Sequence, residues 1–125
     1  MHSETTLLHT VSLEITEAVI AAYAELANDF NPIHVDAAFA ATTPMGKPIA
    51  HGTLSMCLLW QWVEQNFGAQ ALADTDLQVR FIKPVYIGDV VTAGGRGSDE
   101  HPGQYEVWVR GQDGADRIVG TLQIL

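Results

Sequence analysis

The segment from Gly52 to Phe67 constrains the fold of this chain most strongly. Wound into a helix of about 3.6 residues per turn, it places apolar side chains on nearly every side: Leu54, Met56, Cys57, Leu58, Leu59, Trp60, Trp62 and Val63. A helix that is apolar nearly all round is a buried one, and Gly68 supplies a natural end. Other elements of the chain must therefore enclose this helix.

Most of the enclosing elements are predicted to be strands. Leu7 to Ile15 alternates as a first strand, and Thr16 caps an amphipathic helix that ends near Asn28. Further strands follow the long helix: 77–81, 86–95 with a turn at 88–89, 105–110 and 118–124. The segment 94–97 reads as a bulge or turn, and Asp113-Gly114 as a hairpin turn. We predict an α+β domain with one antiparallel sheet around the helix, and a symmetric dimer that covers its edges.

The composition of the chain limits the kinds of molecule that it is expected to bind. The chain has 125 residues, the size of one domain, and is 47% hydrophobic. Its formal net charge of -9 argues against nucleic acid and anionic membrane surfaces as partners. No signal peptide or run of roughly 20 apolar residues is visible. Cys57 is alone, so it forms no intramolecular disulfide; we expect a small buried hydrophobe and a cytoplasmic protein.

The connection from Asp29 to Pro48 contains the most informative motif, Asp29-Phe30-Asn31-Pro32-Ile33-His34-Val35-Asp36. Five residues separate Asp29 from His34, which is a rotation of about 140° along a helix and opposite faces along a strand. Pro32 instead favours an irregular bend that turns both side chains to one spot. There they form an acid–base pair that shares a water molecule. The alternative is a capped turn with a partly buried His34. A short helical turn capped by Asp36 is expected at 36–41.

A second motif, Ile49-Ala50-His51-Gly52-Thr53, stands at the head of the long helix. Helix N-termini expose unpaired N–H groups, and Gly52 lets a ligand oxygen approach its amide closely. The motif therefore suggests an oxyanion site, unless Gly52 merely permits the turn and Thr53 caps the helix. A metal on His34, Asp36 and His51 is a weaker alternative, because the spacing matches no familiar metal pattern.

Together, the segments 29–34 and 48–52 resemble the hydratase-2 motif of MaoC-like proteins. These are the (R)-specific enoyl-CoA hydratases and 3-hydroxyacyl thioester dehydratases. Lys83-Pro84-Val85 and Gly88-Asp89 are also similar to that family. The resemblance implies a single hot-dog domain over residues 1–125, a homodimer, an acyl-CoA or acyl carrier protein thioester as substrate, and no metal or redox cofactor.

The resemblance also implies roles for individual residues. Asp29 and His34 would be the catalytic pair, and the Gly52 amide would bind the thioester carbonyl. Asn31, His51 and Trp60 are the expected substrate-site residues, with Asn31 orienting the loop. Trp60 stands where relatives carry a hydroxyl, so we expect bulky indoles to restrict the acyl tunnel. Candidates for the carrier phosphates are Lys47, Arg80 and Lys83.

Two other functions remain open from the sequence. One is a hot-dog thioesterase, in which a carboxylate activates water against the thioester carbonyl. The other is a non-catalytic subunit that binds acyl thioesters.

Overall fold

Helices and strands follow one another nearly as the sequence predicts. The structure is a computed structural model that describes residues 9–125. Its helices are α1 (Glu17–Ala27), α2 (Pro32–Val35), α3 (Ala37–Ala40) and α4 (Gly52–Phe67), and a 3-10 segment follows at Ala69–Asp74. Its strands are β1 (Val11–Glu14), β2 (Thr75–Phe81), β3 (Val90–Gly97), β4 (Gln104–Arg110) and β5 (Asp116–Ile124).

The five strands form one antiparallel sheet in the order β1-β3-β4-β5-β2. Helix α4 packs against β1, β3 and β4. The core between them consists mainly of inward-facing residues of the helix and the sheet: Leu54, Leu58, Leu59, Trp62, Val63, Val91, Val107, Val109, Ile118 and Leu122. The predicted α+β hot-dog architecture, a sheet around a long central helix, is confirmed.

The ends of the two long helices are set by local chemistry that the sequence shows. Thr16 Oγ1 accepts a hydrogen bond from the Val19 N–H at 3.1 Å, which caps α1. Asn28 ends α1 in the left-handed region with a φ of 54°. Helix α4 spans the predicted residues and ends at Gly68, whose φ of 90° suits glycine.

The expectation that α4 is buried on all sides is wrong. One face of the helix is buried, whereas Met56, Cys57 and Trp60 are partly exposed. The sheet covers only one side of the helix, so the apolar side chains on the other side remain accessible. Within residues 9–125, no helix is both long and apolar enough to cross a bilayer.

Two strand boundaries differ from the prediction. Leu7 and Leu8 lie outside the described residues, and β1 begins at Val11. The strand predicted from Tyr86 begins at Val90 instead. The four residues before it form a turn, because the Asp89 N–H donates to the Tyr86 carbonyl at 3.0 Å and the Tyr86 N–H donates to Asp89 Oδ2 at 2.9 Å. Tyr86 pairs with Ile49 as an isolated bridge.

The glycines at 94–97 do not form the predicted bulge or turn. They lie inside β3 and pair in register with 105–108 of β4. The physical reason is tryptophan packing. A Cβ on Gly95 would lie 2.8 Å from the Trp62 ring, and one on Gly94 would lie 2.9 Å from Trp108 Nε1. The predicted hairpin turn at 113–114 is present between β4 and β5.

Candidate active site

The bend between Asp29 and His34 is a capped helical turn. Asn31 lies outside the helical region, with φ −53° and ψ 130°, and its Oδ1 accepts the Ile33 N–H at 3.1 Å. Pro32 follows at the first helical position, where its missing N–H costs nothing. Asp29 Oδ1 in turn accepts the Asn31 N–H at 3.2 Å. Local hydrogen bonds therefore fix the path of the chain from Asp29 to His34, with one turn of helix where the sequence suggested an irregular bend.

Two histidines connect this loop to the segment that precedes α4. His34 Nδ1 lies 2.7 Å from the Ile49 carbonyl oxygen, and His51 Nε2 lies 2.9 Å from the Asp29 carbonyl oxygen. A carbonyl oxygen only accepts, so each of these nitrogens carries a proton in this arrangement. The two rings stack, with centroids 3.9 Å apart and planes at 25°. A neutral imidazole carries one ring proton, and in His34 that proton is on Nδ1. His34 Nε2 is therefore unprotonated and can accept a proton.

Asp29, His34 and His51 converge: one polar atom of each lies within 4.8 Å of the others. Asp29 is exposed, His34 is half-buried and His51 is only 2% exposed. The structure thus brings Asp29 and His34 together and adds His51 behind them. Because His51 is buried, it holds the loop from behind, whereas Asp29 and His34 are accessible from outside.

The cluster suits proton transfer better than metal binding. Ring-nitrogen lone pairs lie in the plane of each imidazole, so one ion cannot lie in the planes of two rings that are stacked. Asp36, which belongs to the alternative metal set, is occupied elsewhere: its Oδ1 accepts the Phe39 N–H at 3.1 Å and caps α3 as predicted.

The N-terminus of α4 lies next to this cluster in the chain. His51 is the N-cap residue without a side-chain capping bond, and Gly52 is the first helical residue. Thr53 does not cap the helix, because it is already the second helical residue, and its hydroxyl accepts from Tyr23 Oη–H at 2.7 Å. The first N–H groups of a helix lack intrahelical acceptors and carry partial positive charge. A Cβ on Gly52 would lie 3.0 Å from the Phe81 ring, so the ring and the glycine backbone are in close approach.

Two cavities flank this region. One, of about 350 Å³, lies beside Gly52 and is mostly apolar, with Ala50, Phe81, Val85 and Ile118 in its wall. The other, of about 540 Å³, lies between α1 and the residues His34 and Pro48. His34 therefore borders one cavity and Gly52 the other.

Ser55 is a residue of the site that the sequence analysis missed. Its side chain lines the cavity beside Gly52. The residue is 1% exposed, and its Oγ has no hydrogen-bond partner within residues 9–125. The signal that could have revealed it is a lone hydroxyl on the otherwise apolar inner face of α4.

The other residues that the sequence predicts to contact the substrate do not lie together in one place. Trp60 is partly buried against the core and is not among the residues that line either cavity. Lys83 lines the cavity beside Gly52, whereas Lys47 Nζ lies 5.2 Å from the Tyr86 ring centroid. Arg80 lines a different depression, on the outer face of the sheet, together with Arg96 and Arg110. The structure does not bring the three cations together.

An ion-pair network around the buried Arg117 supports the wall of the cavity beside Gly52. Arg117 is 5% exposed, and it bonds Asp113 Oδ1 at 3.1 Å and lies 3.5 Å from Asp89 Oδ2. The Ala115 N–H and then the Arg117 guanidinium hold the pKa of Asp113 below its ordinary value. The Arg117 carbonyl also accepts the Ile82 N–H at 2.8 Å, so the network fixes both ends of the segment 82–89.

The fold and the site together define a class: a hot-dog domain with an Asp–His pair beside the N-terminus of its central helix. The family model of the MaoC like domain matches residues 2–117, and the chain belongs to that family.

Its relatives carry names that agree with one another. The chain is 42% identical to the (R)-specific enoyl-CoA hydratase of Aeromonas caviae over 76 residues, which are 61% of this chain and 57% of the relative. It is 33% identical to the 3-hydroxybutyryl-CoA dehydratase of Methylorubrum extorquens over 88 residues, 70% of this chain and 56% of the relative. The matched part thus spans little more than half of these curated relatives.

Solved structures extend the likeness over nearly the whole chain. An (R)-hydratase from A. caviae involved in PHA biosynthesis superposes with a TM-score of 0.78 at 29% identity, covering 97% of this chain and 96% of that one. An unliganded R-hydratase from Pseudomonas aeruginosa gives 0.80 at 26% identity, covering 95% and 79%.

Proposed function

We propose that this chain is a hydro-lyase that reversibly adds water to a trans-2-enoyl thioester and forms an (R)-3-hydroxyacyl thioester. The observation that carries the proposal is the convergence of Asp29 and His34 beside a helix that begins with Gly52. An acid–base pair and an exposed helix N-terminus are the two parts that hydration of an enoyl thioester requires. The names of the relatives support the same reaction class.

In the proposed mechanism, the thioester carbonyl accepts a hydrogen bond from the Gly52 N–H. This bond polarises the conjugated double bond and makes the β-carbon electrophilic. A water molecule held by Asp29 and His34 attacks the β-carbon as its proton passes to this pair. Negative charge develops on the thioester oxygen, where the helix terminus stabilises it. A proton from the pair then reaches the α-carbon, and the reverse sequence is dehydration.

The hydrogen bonds of the loop give each residue a distinct task in this mechanism. His34 Nε2 is available for water because Nδ1 is held by the Ile49 carbonyl. Asn31 caps α2 and thereby orients the loop. His51 is a positioning residue, since its ring bonds the Asp29 carbonyl from a buried position. Much of the barrier is then lowered because the water is already oriented.

We further propose that a second copy of the chain completes the acyl site. Large apolar side chains are exposed on the loop 29–45 and at the end of β2: Phe30, Val35, Phe39, Met45, Phe81 and Ile82. Burying them against another copy would be favourable. Sedimentation of the protein at assay concentration should give the mass of a dimer, and a monomer with full activity would contradict this part of the proposal.

The carrier, the domain assignment and the location are also proposals. We infer a CoA or acyl carrier protein thioester, with Lys83 near the cavity to meet carrier phosphates. We treat residues 1–125 as one domain, and the lone Cys57 favours the cytoplasm. Rates with crotonyl-CoA and with the crotonyl carrier protein distinguish the two carriers.

The deciding experiment is hydration of crotonyl-CoA, followed by the loss of enoyl absorbance. Asp29→Asn and His34→Ala should each lower kcat by roughly 10²–10⁴-fold with the fold retained. Asp36→Asn is the matched control, because it neutralises an acid of the same loop while asparagine caps a helix equally well. It should keep nearly full activity.

The same assay separates the alternatives. Free thiol release without loss of the enoyl chromophore would indicate a thioesterase, and ligand binding without turnover would indicate a non-catalytic subunit. Near-normal turnover of both dyad variants would overturn the mechanism.

A further inference from the structure

The hydroxyl of Ser55 is the most conspicuous polar group that the proposed mechanism leaves unused. Its Oγ is enclosed, and within residues 9–125 it has no hydrogen-bond partner. A buried hydroxyl without a partner is unfavourable, because it has lost water and gained nothing in return. Such a hydroxyl contributes little to the stability of the fold. This points to a hydrogen-bond acceptor on a bound ligand.

The surroundings of Ser55 show what kind of partner is missing. Its cavity is lined mainly by apolar side chains, including Ile49, Ala50, Phe81, Val85 and Ile118. The polar side chains among its lining residues are donors, the Ser55 hydroxyl and the Lys83 ammonium, and Gly52 lies there as the first residue of the helix. Within residues 9–125, no carboxylate or amide side chain lines this cavity, and it lies at the positive end of a helix.

Gly52 and Ser55 are three residues apart in the first turn of α4, so they project toward neighbouring positions of the helix surface. A carbonyl oxygen has two lone pairs and accepts two hydrogen bonds. One amide N–H and one hydroxyl O–H beside the same cavity match that capacity. Oxyanion sites are commonly built from a backbone N–H together with a side-chain donor.

We propose that Ser55 Oγ–H is the second donor to the thioester oxygen, beside the Gly52 N–H. The proposal rests on the proposed hydratase function, because it assigns a further residue to the same reaction. Ser55 does not stand at position 60, where the family resemblance implies a hydroxyl. Five residues separate the two positions, which is about 140° around the helix, and Ser55 is buried whereas Trp60 is partly exposed.

Access to this donor pair is governed by Phe81. Its ring lies against Gly52, and within a single chain the residue is 57% exposed and lies outside the hydrophobic core. An acyl thioester that displaces the ring would bring its oxygen to Gly52 and Ser55 and its alkyl part to the apolar wall.

The test compares Ser55→Ala, Ser55→Thr and wild type in the full chain, with crotonyl-CoA as the substrate. Ser55→Ala should lower kcat by roughly 10²–10³-fold with little change in KM, as the loss of one oxyanion donor does. Its Tm should stay equal or rise, because an unpartnered buried hydroxyl is removed. Ser55→Thr keeps the donor and should recover much of kcat. Thr53→Ala is the matched control, since its hydroxyl lies in the same turn but bonds Tyr23.

The carbonyl stretch of bound crotonyl-CoA tests the same hydrogen bond without relying on turnover. In the Asp29→Asn background, bound crotonyl-CoA should show a carbonyl stretch shifted to lower frequency, and adding Ser55→Ala should remove part of that shift. An unchanged kcat and an unchanged shift in Ser55→Ala would overturn the proposal while the hydratase assignment stands. If wild type hydrates no enoyl thioester, the proposed function fails, and the carbonyl shift still decides whether Ser55 binds the oxygen.

Discussion

The two halves of the candidate site are built in opposite ways. In the loop from Asp29 to Asp36, polar groups bond to nearby backbone: Asp29 to Asn31, Asn31 to Ile33, and His34 to Ile49. At the start of α4, the walls are mostly apolar, and the Ser55 hydroxyl has no partner in the described part of the chain, 9–125. In the proposed mechanism, the loop holds its geometry before the substrate binds, whereas the thioester oxygen completes the helix start. A site of this kind positions water in advance and keeps its strongest electrostatic interaction for the substrate.

The largest effect on kcat is expected when the N–H donor of Gly52 is removed from the start of α4 and the loop is left intact. Gly52→Pro eliminates the N–H, and proline is well tolerated at the first helical position. Gly52→Ala adds a similar Cβ near Phe81 but keeps the N–H. We expect Gly52→Pro to have a kcat roughly 10²–10³-fold below that of Gly52→Ala, because one oxyanion donor is lost. Equal rates for the two variants would assign the carbonyl site elsewhere.

The next test loosens the loop and leaves the helix start intact. His51→Phe keeps a buried ring but removes the Nε2–H that holds the Asp29 carbonyl. We expect a loss of about 1–3 kcal/mol in the free energy of unfolding and a fall in kcat of about tenfold. His51→Gln restores an N–H donor and should recover part of both. Denaturant unfolding and the crotonyl-CoA assay measure the two effects, and an unchanged kcat in His51→Phe would show that the loop needs no anchor.

A smaller effect, on kcat/KM, is expected from a change at Trp60, which belongs neither to the loop nor to the start of α4. Trp60→Ala should raise kcat/KM for eight-carbon enoyl-CoA relative to crotonyl-CoA by several-fold, if the indole limits the acyl group once a second copy is present. Trp108→Phe, on the outer face of the sheet, is the control. A wild-type preference for long enoyl-CoAs would contradict this hypothesis.

The smallest effect is expected for a change at Asp113, which supports the cavity wall through Arg117 and is not one of the proposed catalytic groups. The pKa of Asp113 is lowered by the Ala115 N–H and by Arg117, so its carboxylate favours the folded state above the ordinary pKa near 3.8. Asp113→Asn should therefore lower Tm slightly at neutral pH. This difference should disappear as the pH falls through the lowered pKa of the folded protein, and kcat should stay unchanged. A Tm difference that grows in acid would contradict the assignment.

The sequence predicted the elements whose ends are determined locally. Thr16 and Asn28 bound α1, Gly52 and Gly68 bound α4, and Asp36 caps α3, each through chemistry within a few residues. The pairing of Asp29 with His34 was also predictable, since proline and asparagine restrict the bend between them. These features depend little on the rest of the chain.

The features that the sequence did not reveal depend on distant contacts. Gly94 and Gly95 looked like a bulge because their role is set by Trp108 and Trp62, which lie elsewhere in the chain. The start of β3 shifted to Val90, since Asp89 is held in a turn that Arg117 supports. Ser55 was overlooked for the same reason: its isolation follows from walls contributed by Phe81, Val85 and Ile118.

The close packing of tryptophan on the glycines of β3 has an optical consequence. Trp62 lies over Gly95 in the core and is fully buried. Trp108 lies on the outer face, with the Arg110 guanidinium 4.1 Å from its ring, and Trp60 is on the uncovered side of α4. The three tryptophans of the chain thus stand in three different surroundings. Fluorescence of single-tryptophan variants would report separately on the core, the sheet surface and the side of the helix where a second copy is proposed to bind.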